Sequence, residues 1–337
     1  MLIVDWLGRG GIAHCTGAWE IELRARDMSV TTVTRSGREM LGPAVHTADG
    51  PGRIRAHMAV ARLAQELIAE ERPDTVVIQN WVIPVIERMV HEAARRIGAK
   101  VVMVVHDHRL HSPVAGIRAG LRDLLQKADT VVTHSRFVQE AVQGYAGRTS
   151  TVVPLPVQVA MVSKPRPAQP ILTEEGLLGV HFGILKRSYK GTGVVVDLAA
   201  DPPTGWTFAV VGTGAPPVRP GLASIDRFLE AGELCSLVAQ SAASLLPYRF
   251  ATQSGAVVLA QACGSIPVAT AVGGIPEQIE DGETGRLLPA GSGVAEWRRV
   301  LEELADDSVR EKLIEGSQRA VWAQHRRFVD AVVEVAS

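Results

Sequence analysis

Three glycine-flanked turns hold most of the side chains in this sequence that are suited to chemistry. In Lys186-Arg187-Ser188-Tyr189-Lys190-Gly191, three cations stand immediately before an apolar helical run that starts near Gly191. The free N–H groups of a helix N-terminus carry partial positive charge and ordinarily attract acidic side chains, so cations there imply a compensating anion. The chain has six lysines, and two of them lie in this loop. Phosphate binding is the expectation; a solvated basic loop is the plainer alternative.

The second turn, Tyr248-Arg249-Phe250-Ala251-Thr252-Gln253-Ser254-Gly255, opens an apolar helix from Ala256 to Cys263. Ser254 is placed to cap that helix, and Gly255 keeps side-chain bulk away from the first free amides. The backbone N–H groups of Ser254, Gly255, Ala256 and Val257 are therefore candidate donors to a diphosphate. Gln253 just upstream both donates to and accepts from hydroxyls, which suits a sugar or nucleoside. An ordinary capped helix has the same spacing.

The third turn is Leu7-Gly8-Arg9-Gly10-Gly11, between an apolar strand and a helix. Gly10 and Gly11 fit the close approach of backbone amides to an anion. The spacing departs from Gly-x-Gly-x-x-Gly because position 13 is alanine, which disfavours a dinucleotide-dependent dehydrogenase. His106 and His108 lie two apart at a strand end with His111 near, yet no completing ligand set accompanies them, and no metal is expected.

These turns need elements to position them. Apolar runs at Leu2–Leu7, Val30–Thr34, Thr75–Gln79, Val101–Val105, Thr130–Thr133 and Thr151–Val153 read as strands, with helices at Cys15–Arg26, Ile54–Glu71 and Val85–Ile97. Strands buried on both faces and separated by helices predict a parallel, doubly wound sheet. A proline-rich stretch follows, and the alternation then restarts. Strands are expected at Leu177–Phe182, Thr207–Val211, Ser224–Phe228, Ala243–Leu246 and Ile266–Ala269, with helices at Gly191–Ala199, Gly232–Ser241 and Gly255–Cys263. Val294 to His325 is expected to be helical.

The fold class is therefore α/β, with two Rossmann-like domains facing across a cleft. The expected boundaries are 1–156 for an N-terminal domain, 157–170 for a linker, 171–320 for a C-terminal domain, and 321–337 for a helix returning to the first domain. Ligands of such sheets sit beyond the carboxyl ends of the strands.

Composition narrows the partners. The chain of 337 residues is 46% hydrophobic and 21% charged, with a formal net charge of -1, which argues against disorder and against nucleic-acid binding. Up to Pro156 there are 19 Lys/Arg against 16 Asp/Glu, and beyond it 16 against 20, so +3 and -4 sum to -1. Cys15, Cys235 and Cys263 are unclustered and odd in number, giving neither a disulfide framework nor a zinc spacing. Met1-Leu2-Ile3-Val4 opens as a strand with no basic stretch before it, and no apolar run nears the ~20 residues that span a bilayer. A cytoplasmic protein with at most peripheral membrane contact is expected.

The segment from Leu245 to Gly285 resembles the retaining glycosyltransferases of family four, which have the GT-B fold. The likeness rests on Ala260, Ala262 and Gly264, Ala269-Thr270, Gly273-Gly274-Ile275-Pro276-Glu277 and Asp281-Gly282-Glu283-Thr284-Gly285. Gly10-Gly11, His106-Asp107, Ala128-Asp129 through His134-Ser135, Lys190-Gly191 and Gly212-Thr213-Gly214 extend it over the whole chain. Two carboxylates of the Glu-x7-Glu signature are replaced, by Ala251 and Leu259, as in a Thr-Gln-Ser-Gly variant of the turn.

The resemblance implies transfer of a sugar from a nucleotide diphosphate donor to a hydroxyl of a small-molecule, lipid or saccharide acceptor, without metal or cofactor. It implies His106, Lys186 and Lys190 as catalytic groups, with Arg187, Gly10, Gly11, Ser254, Gly255, Ala256 and Val257 on the diphosphate. Gln253, Gly212 and Gly214 would meet the sugar or nucleoside, with 1–156 as the acceptor-side domain, 171–320 as the nucleotide-sugar-binding domain, and His14, Arg9 and Arg136 as candidates for the acceptor side. The replaced carboxylates keep open a sugar-nucleotide-binding protein without turnover, or an epimerase on the same fold.

Overall fold

Short β-branched runs alternate with helical stretches along almost the whole chain, and each run becomes a parallel strand. The computed structural model describes residues 1–8, 10–36, 45–79, 83–107, 117–157, 159–162 and 176–336. The chain divides into two units, one of residues 1–156 with 325–337 and one of residues 157–324.

In the first unit the strands are β1 (Leu2–Asp5), β2 (Thr31–Arg35), β3 (Val45–Ala48), β4 (Thr75–Gln79), β5 (Lys100–Val105), β6 (Thr130–Thr133) and β7 (Thr151–Val152). The helices between them are α1 (Gly10–Arg24), α2 (Arg53–Glu71), α3 (Pro84–Arg96), α4 (Ile117–Lys127) and α5 (Arg136–Ala146). The sheet runs β3-β2-β1-β4-β5-β6-β7, all parallel, so the strand order reverses between β1 and β4. Leu2, Val4, Val76, Ile78, Val101 and Met103 face the layer of α2 to α5. Their neighbours Ile3, Val77, Val102 and Val104 face α1, as the alternation of side chains along a strand requires.

The second unit holds α6 (Val159–Val162), β8 (Leu177–Phe182), α7 (Thr192–Ala200), β9 (Trp206–Val211), β10 (Leu222–Ile225), α8 (Ala231–Ala239), β11 (Ala243–Leu246), α9 (Gly255–Cys263), β12 (Ile266–Thr270), β13 (Arg286–Leu288) and α10 (Val294–Glu303). Its sheet runs β10-β9-β8-β11-β12-β13, again all parallel, with the reversal between β8 and β11.

The last helix, α11 (Asp307–Ala336), starts in the second unit and ends in the first. There Phe328, Val329, Val332 and Val335 join Trp19 and Leu23 of α1. Phe328 meets Trp19 edge-on at 6.4 Å, an aromatic pairing that adds ~1 kcal/mol to its burial. Lys100 Nζ donates to the Val335 carbonyl at 3.0 Å, satisfying one of the orphan carbonyls of the helix end.

Several expected elements shift for identifiable reasons. Strand Leu2–Leu7 stops at Asp5, whose carboxylate accepts the Leu7 and Gly8 amides and turns the chain. Helix Cys15–Arg26 begins earlier, at Gly10. Strand Ser224–Phe228 is displaced to Leu222–Ile225, because pairing with β9 ends at the Ile225–Val211 partners. The single helix at Val294–His325 is two, broken where Asp306 caps a new start by accepting the Ser308 amide at 2.8 Å. Within the expected linker, residues 158 and 163–170 lie outside the described residues, and Val159–Val162 forms a short helical turn.

Candidate functional site

The chemistry of the second unit gathers beside its strand-order reversal. β8 leads through Gly183 into the basic loop, a single 3-10 turn spans Ser188–Lys190, and α7 follows. From the other side of the reversal, β11 leads to Tyr248. Lys190 Nζ donates to Tyr248 Oη at 2.9 Å and lies 4.0 Å from the centre of that ring. The two loops are also joined through the backbone, since the Arg249 amide donates to the Tyr189 carbonyl at 2.7 Å. Lys190 is therefore half-buried and held in one place, whereas Lys186 and Arg187 are exposed.

Glycine at three of these positions follows from the chain's own packing. Gly191 has φ +69°, and a Cβ there would stand 1.8 Å from the Pro247 carbonyl oxygen. A Cβ on Gly212 would meet the Gly183 carbonyl oxygen at 1.9 Å, and one on Gly214 would meet Lys186 Cγ at 2.5 Å. The Gly212-Thr213-Gly214 loop thus packs on the basic loop, and Thr213 accepts the Leu185 and Lys186 amides at 2.9 and 3.3 Å. Gly255 is different. Its backbone is not left-handed, and an added Cβ would meet nothing within 4 Å.

Around Gly255 the amides divide into two kinds. Ser254 Oγ caps α9 by accepting the Val257 amide at 3.4 Å. The Ser254 amide donates to Gln278 Oε1 at 2.7 Å, and Gln278 Nε2 returns a bond to the Ser254 carbonyl at 3.1 Å. Gln278 thereby fixes the turn, and the set of amides open to an anion narrows from four to those of Gly255 and Ala256, both half-buried. Gln253 is half-buried just before them. Ala251 and Leu259 are both buried in apolar clusters, Ala251 against Tyr248 and Ile275, Leu259 in the layer formed by Leu178, Val180 and Val238.

Beneath the basic loop, His181 Nδ1 donates to the Leu245 carbonyl at 2.7 Å and its Nε2 accepts from Thr192 Oγ1 at 3.1 Å. Burial, with a smaller push from the Lys190 charge, lowers its pKa to about 4. It is thus neutral at neutral pH, and the positive charge beside it comes from Lys186, Arg187 and Lys190.

The first unit is built otherwise. Asp5, at the end of β1, is buried and accepts from the Leu7 and Gly8 amides at 2.9 and 3.0 Å and from Thr16 Oγ1 at 3.3 Å. The turn already contains an anion-like acceptor of its own, and burial raises the carboxyl pKa. Gly10 has φ +62°, while Gly11 has room around it and an ordinary backbone. Of the acceptor-side candidates, His14 is half-buried on α1 and Arg136 is exposed at the start of α5. Arg9, like His108 and His111, lies outside the described residues.

His106 is buried at the end of β5, with Nε2 donating to Gln79 Oε1 at 2.8 Å. Its ring lies 4.5 Å from that of His134, at the end of β6. Burial, with the neighbouring imidazole adding to it, holds the His106 pKa well below its ordinary value. His106 is therefore a neutral hydrogen-bonding group here. The Gln79 Nε2 has no partner among the described residues, so a buried donor remains at the strand-order reversal.

Sequence reasoning missed Tyr248 as the partner of Lys190, Gln278 as the clamp on Ser254, Asp5 as the acceptor that turns the chain after β1, and Gln79 and His134 beside His106. Asp5, Gln79 and His134 each sit at or just past the carboxyl end of a strand, which was the available signal.

Two family models match: residues 10–158 the "Glycosyl transferase 4-like domain", and residues 180–307 "Glycosyl transferases group 1". Over 88 residues, 25% of this chain and 21% of the relative, it is 36% identical to the "D-inositol 3-phosphate glycosyltransferase" of Actinosynnema mirum. The matched stretches span between 11% and 21% of the length of the curated relatives. Among solved structures, the sucrose-phosphate synthase of Thermosynechococcus elongatus aligns with TM-score 0.78 at 14% identity, covering 99% of this chain and 97% of that one. Anabaena Alr3699/HepE in complex with UDP-glucose aligns with TM-score 0.73 at 17% identity, with the same coverage. These likenesses establish the fold as GT-B.

Proposed function

We propose that this chain, made of two glycosyltransferase-family domains on a GT-B fold, transfers a sugar from a nucleotide diphosphate donor to an acceptor hydroxyl with retention of configuration. The observation that carries the reading is the meeting of Lys190 with Tyr248 across the strand-order reversal of the second unit, one turn upstream of the Gly255 and Ala256 amides. Lys190, Lys186 and Arg187 supply the positive charge that a departing diphosphate needs, and the two amides donate to its oxygens. Gly255 supports this, because neither backbone strain nor packing requires glycine there.

In the reaction, the bond from the anomeric carbon to the diphosphate oxygen breaks and a bond to the acceptor oxygen forms on the same face. The acceptor proton passes to the departing phosphate oxygen, so the protein's part is to hold charge and geometry. No metal takes part in this reading. Gln253 stands for the missing first glutamate at the donor sugar, and Leu259 leaves the ribose contact to other groups. His106 meets the sugar through its backbone, because its one ring proton is already given to Gln79 Oε1, and the Gln79 Nε2, without a partner among the described residues, offers a neutral donor to a sugar hydroxyl. The UDP-glucose complex of the Anabaena neighbour and the inositol phosphate acceptor in the relative's name suggest where substrate trials begin.

The burial of Ala251 and Leu259 favours a second reading, a sugar-nucleotide-binding protein without turnover. A panel of nucleotide diphosphate sugars, assayed for hydrolysis and for transfer with the product anomer read by NMR, separates the two. Retained-configuration product supports the first reading. Tight binding with no turnover over a wide acceptor panel supports the second.

A further inference from the structure

Cys15 of α1, His106 and His134 converge in the first unit, each offering a ligand atom within 4.8 Å of the other two. All three are buried. Cys15 and His134 are 119 positions apart, so the fold alone brings them together. His134 Nδ1 donates to the Val153 carbonyl at 2.8 Å, which leaves the lone pair on Nε2, and Nε2 stands 3.8 Å from Cys15 Sγ. In a tetrahedral site with Zn–S of about 2.3 Å and Zn–N of about 2.0 Å, that separation is about 3.5 Å. His106 is anchored in turn through Nε2 to Gln79. Imidazoles pinned through one nitrogen by a carbonyl or amide are oriented and fixed in tautomer, as metal-binding histidines are.

We propose that Cys15, His106 and His134 bind one divalent cation of the zinc class, with a coordination position left for a water or ligand oxygen. One thiolate and two imidazoles are a borderline donor set, which suits Zn2+ over the hard cations. Binding forms the metal–sulfur bond, releases the Cys15 proton to solvent and oxidises nothing. The site adjoins the sugar position of the proposed reaction: a loaded ion takes the His106 ring and leaves its backbone for the sugar.

Co2+ titration of the chelator-stripped full chain tests this, in a Cys235→Ser/Cys263→Ser background. Those two thiols, 3.0 Å apart, would otherwise compete for the probe, and their removal leaves Cys15 as the one cysteine. The expected result is one equivalent of Co2+ with a near-ultraviolet thiolate charge-transfer band and tetrahedral ligand-field bands, displaced by Zn2+. Gln79→Leu, which removes only the support of His106, should weaken affinity about 10- to 100-fold. His134→Gln should abolish the band. Co2+ binding without the charge-transfer band, no binding at all, or a band that survives His134→Gln overturns the proposal, and none of these readouts depends on sugar transfer.

Discussion

The two units order their first four strands identically, β3-β2-β1-β4 and β10-β9-β8-β11, yet furnish the strand-order reversal with opposite chemistry. In the second unit the loops after β8 and β11 bring a tethered lysine, two exposed cations and two open amides together. In the first, the corresponding strand ends hold Asp5, Gln79, His106 and His134, buried and neutral or bonded within the chain. A shared backbone arrangement therefore fixes where ligands approach, and the side chains at the strand ends fix which ligand chemistry is met. The second unit presents cations and open amides; the first presents buried groups that are mostly bonded within the chain.

Acid breaks both regions at once and has the largest expected effect. Burial holds His134 and His181 at about 4, below an ordinary 6.5. Between those values the unfolded chain binds protons that the folded chain refuses, so stability is complete above 6.5 and is lost as pH falls toward 4. At pH 5 each histidine should cost about 2 kcal/mol relative to pH 7.5, read from urea midpoints of the metal-free chain. A midpoint that does not fall over that range would show that neither imidazole is held neutral.

Lys190→Ala separates the two regions. It should lower kcat/KM by about 30- to 900-fold, the equivalent of ~2–4 kcal/mol for a preorganised charge donor, with stability little changed. Activity within about threefold of the parent removes Lys190 from the reaction. Tyr248→Phe keeps the ring under the cation and removes its hydrogen bond, so a smaller loss of ~1 kcal/mol, about fivefold, is expected.

The glycines give the finest comparison. Gly10→Ala should destabilise the chain by ~1 kcal/mol because its φ is left-handed, whereas Gly11→Ala should be neutral or slightly stabilising in thermal melts. A Gly11→Ala chain that folds normally but loses transfer would mean that the first unit's turn does approach an anion, despite Asp5.

Much of this was legible in order along the chain. The basic loop, the Ser254 cap and the glycines stand out because local rules govern them: helix dipoles, caps and left-handed φ depend on neighbours in sequence. The same local rules misplaced the end of β1, since Asp5 turns the chain by a side-chain bond that periodicity does not reveal. Gly212 and Gly214, which the resemblance implies at the nucleotide, are also needed by the fold where one loop packs on another, and no local rule showed that.

The sequence alone determined two parallel α/β sheets and the loops at their strand ends, because hydrophobic period and turn chemistry are short-range properties. Tertiary structure decided the partners: Tyr248 for Lys190, Gln278 for Ser254, and the convergence of Cys15 with His106 and His134. Those groups are far apart along the chain, and only the crossing of strands and helices brings their atoms within bonding reach.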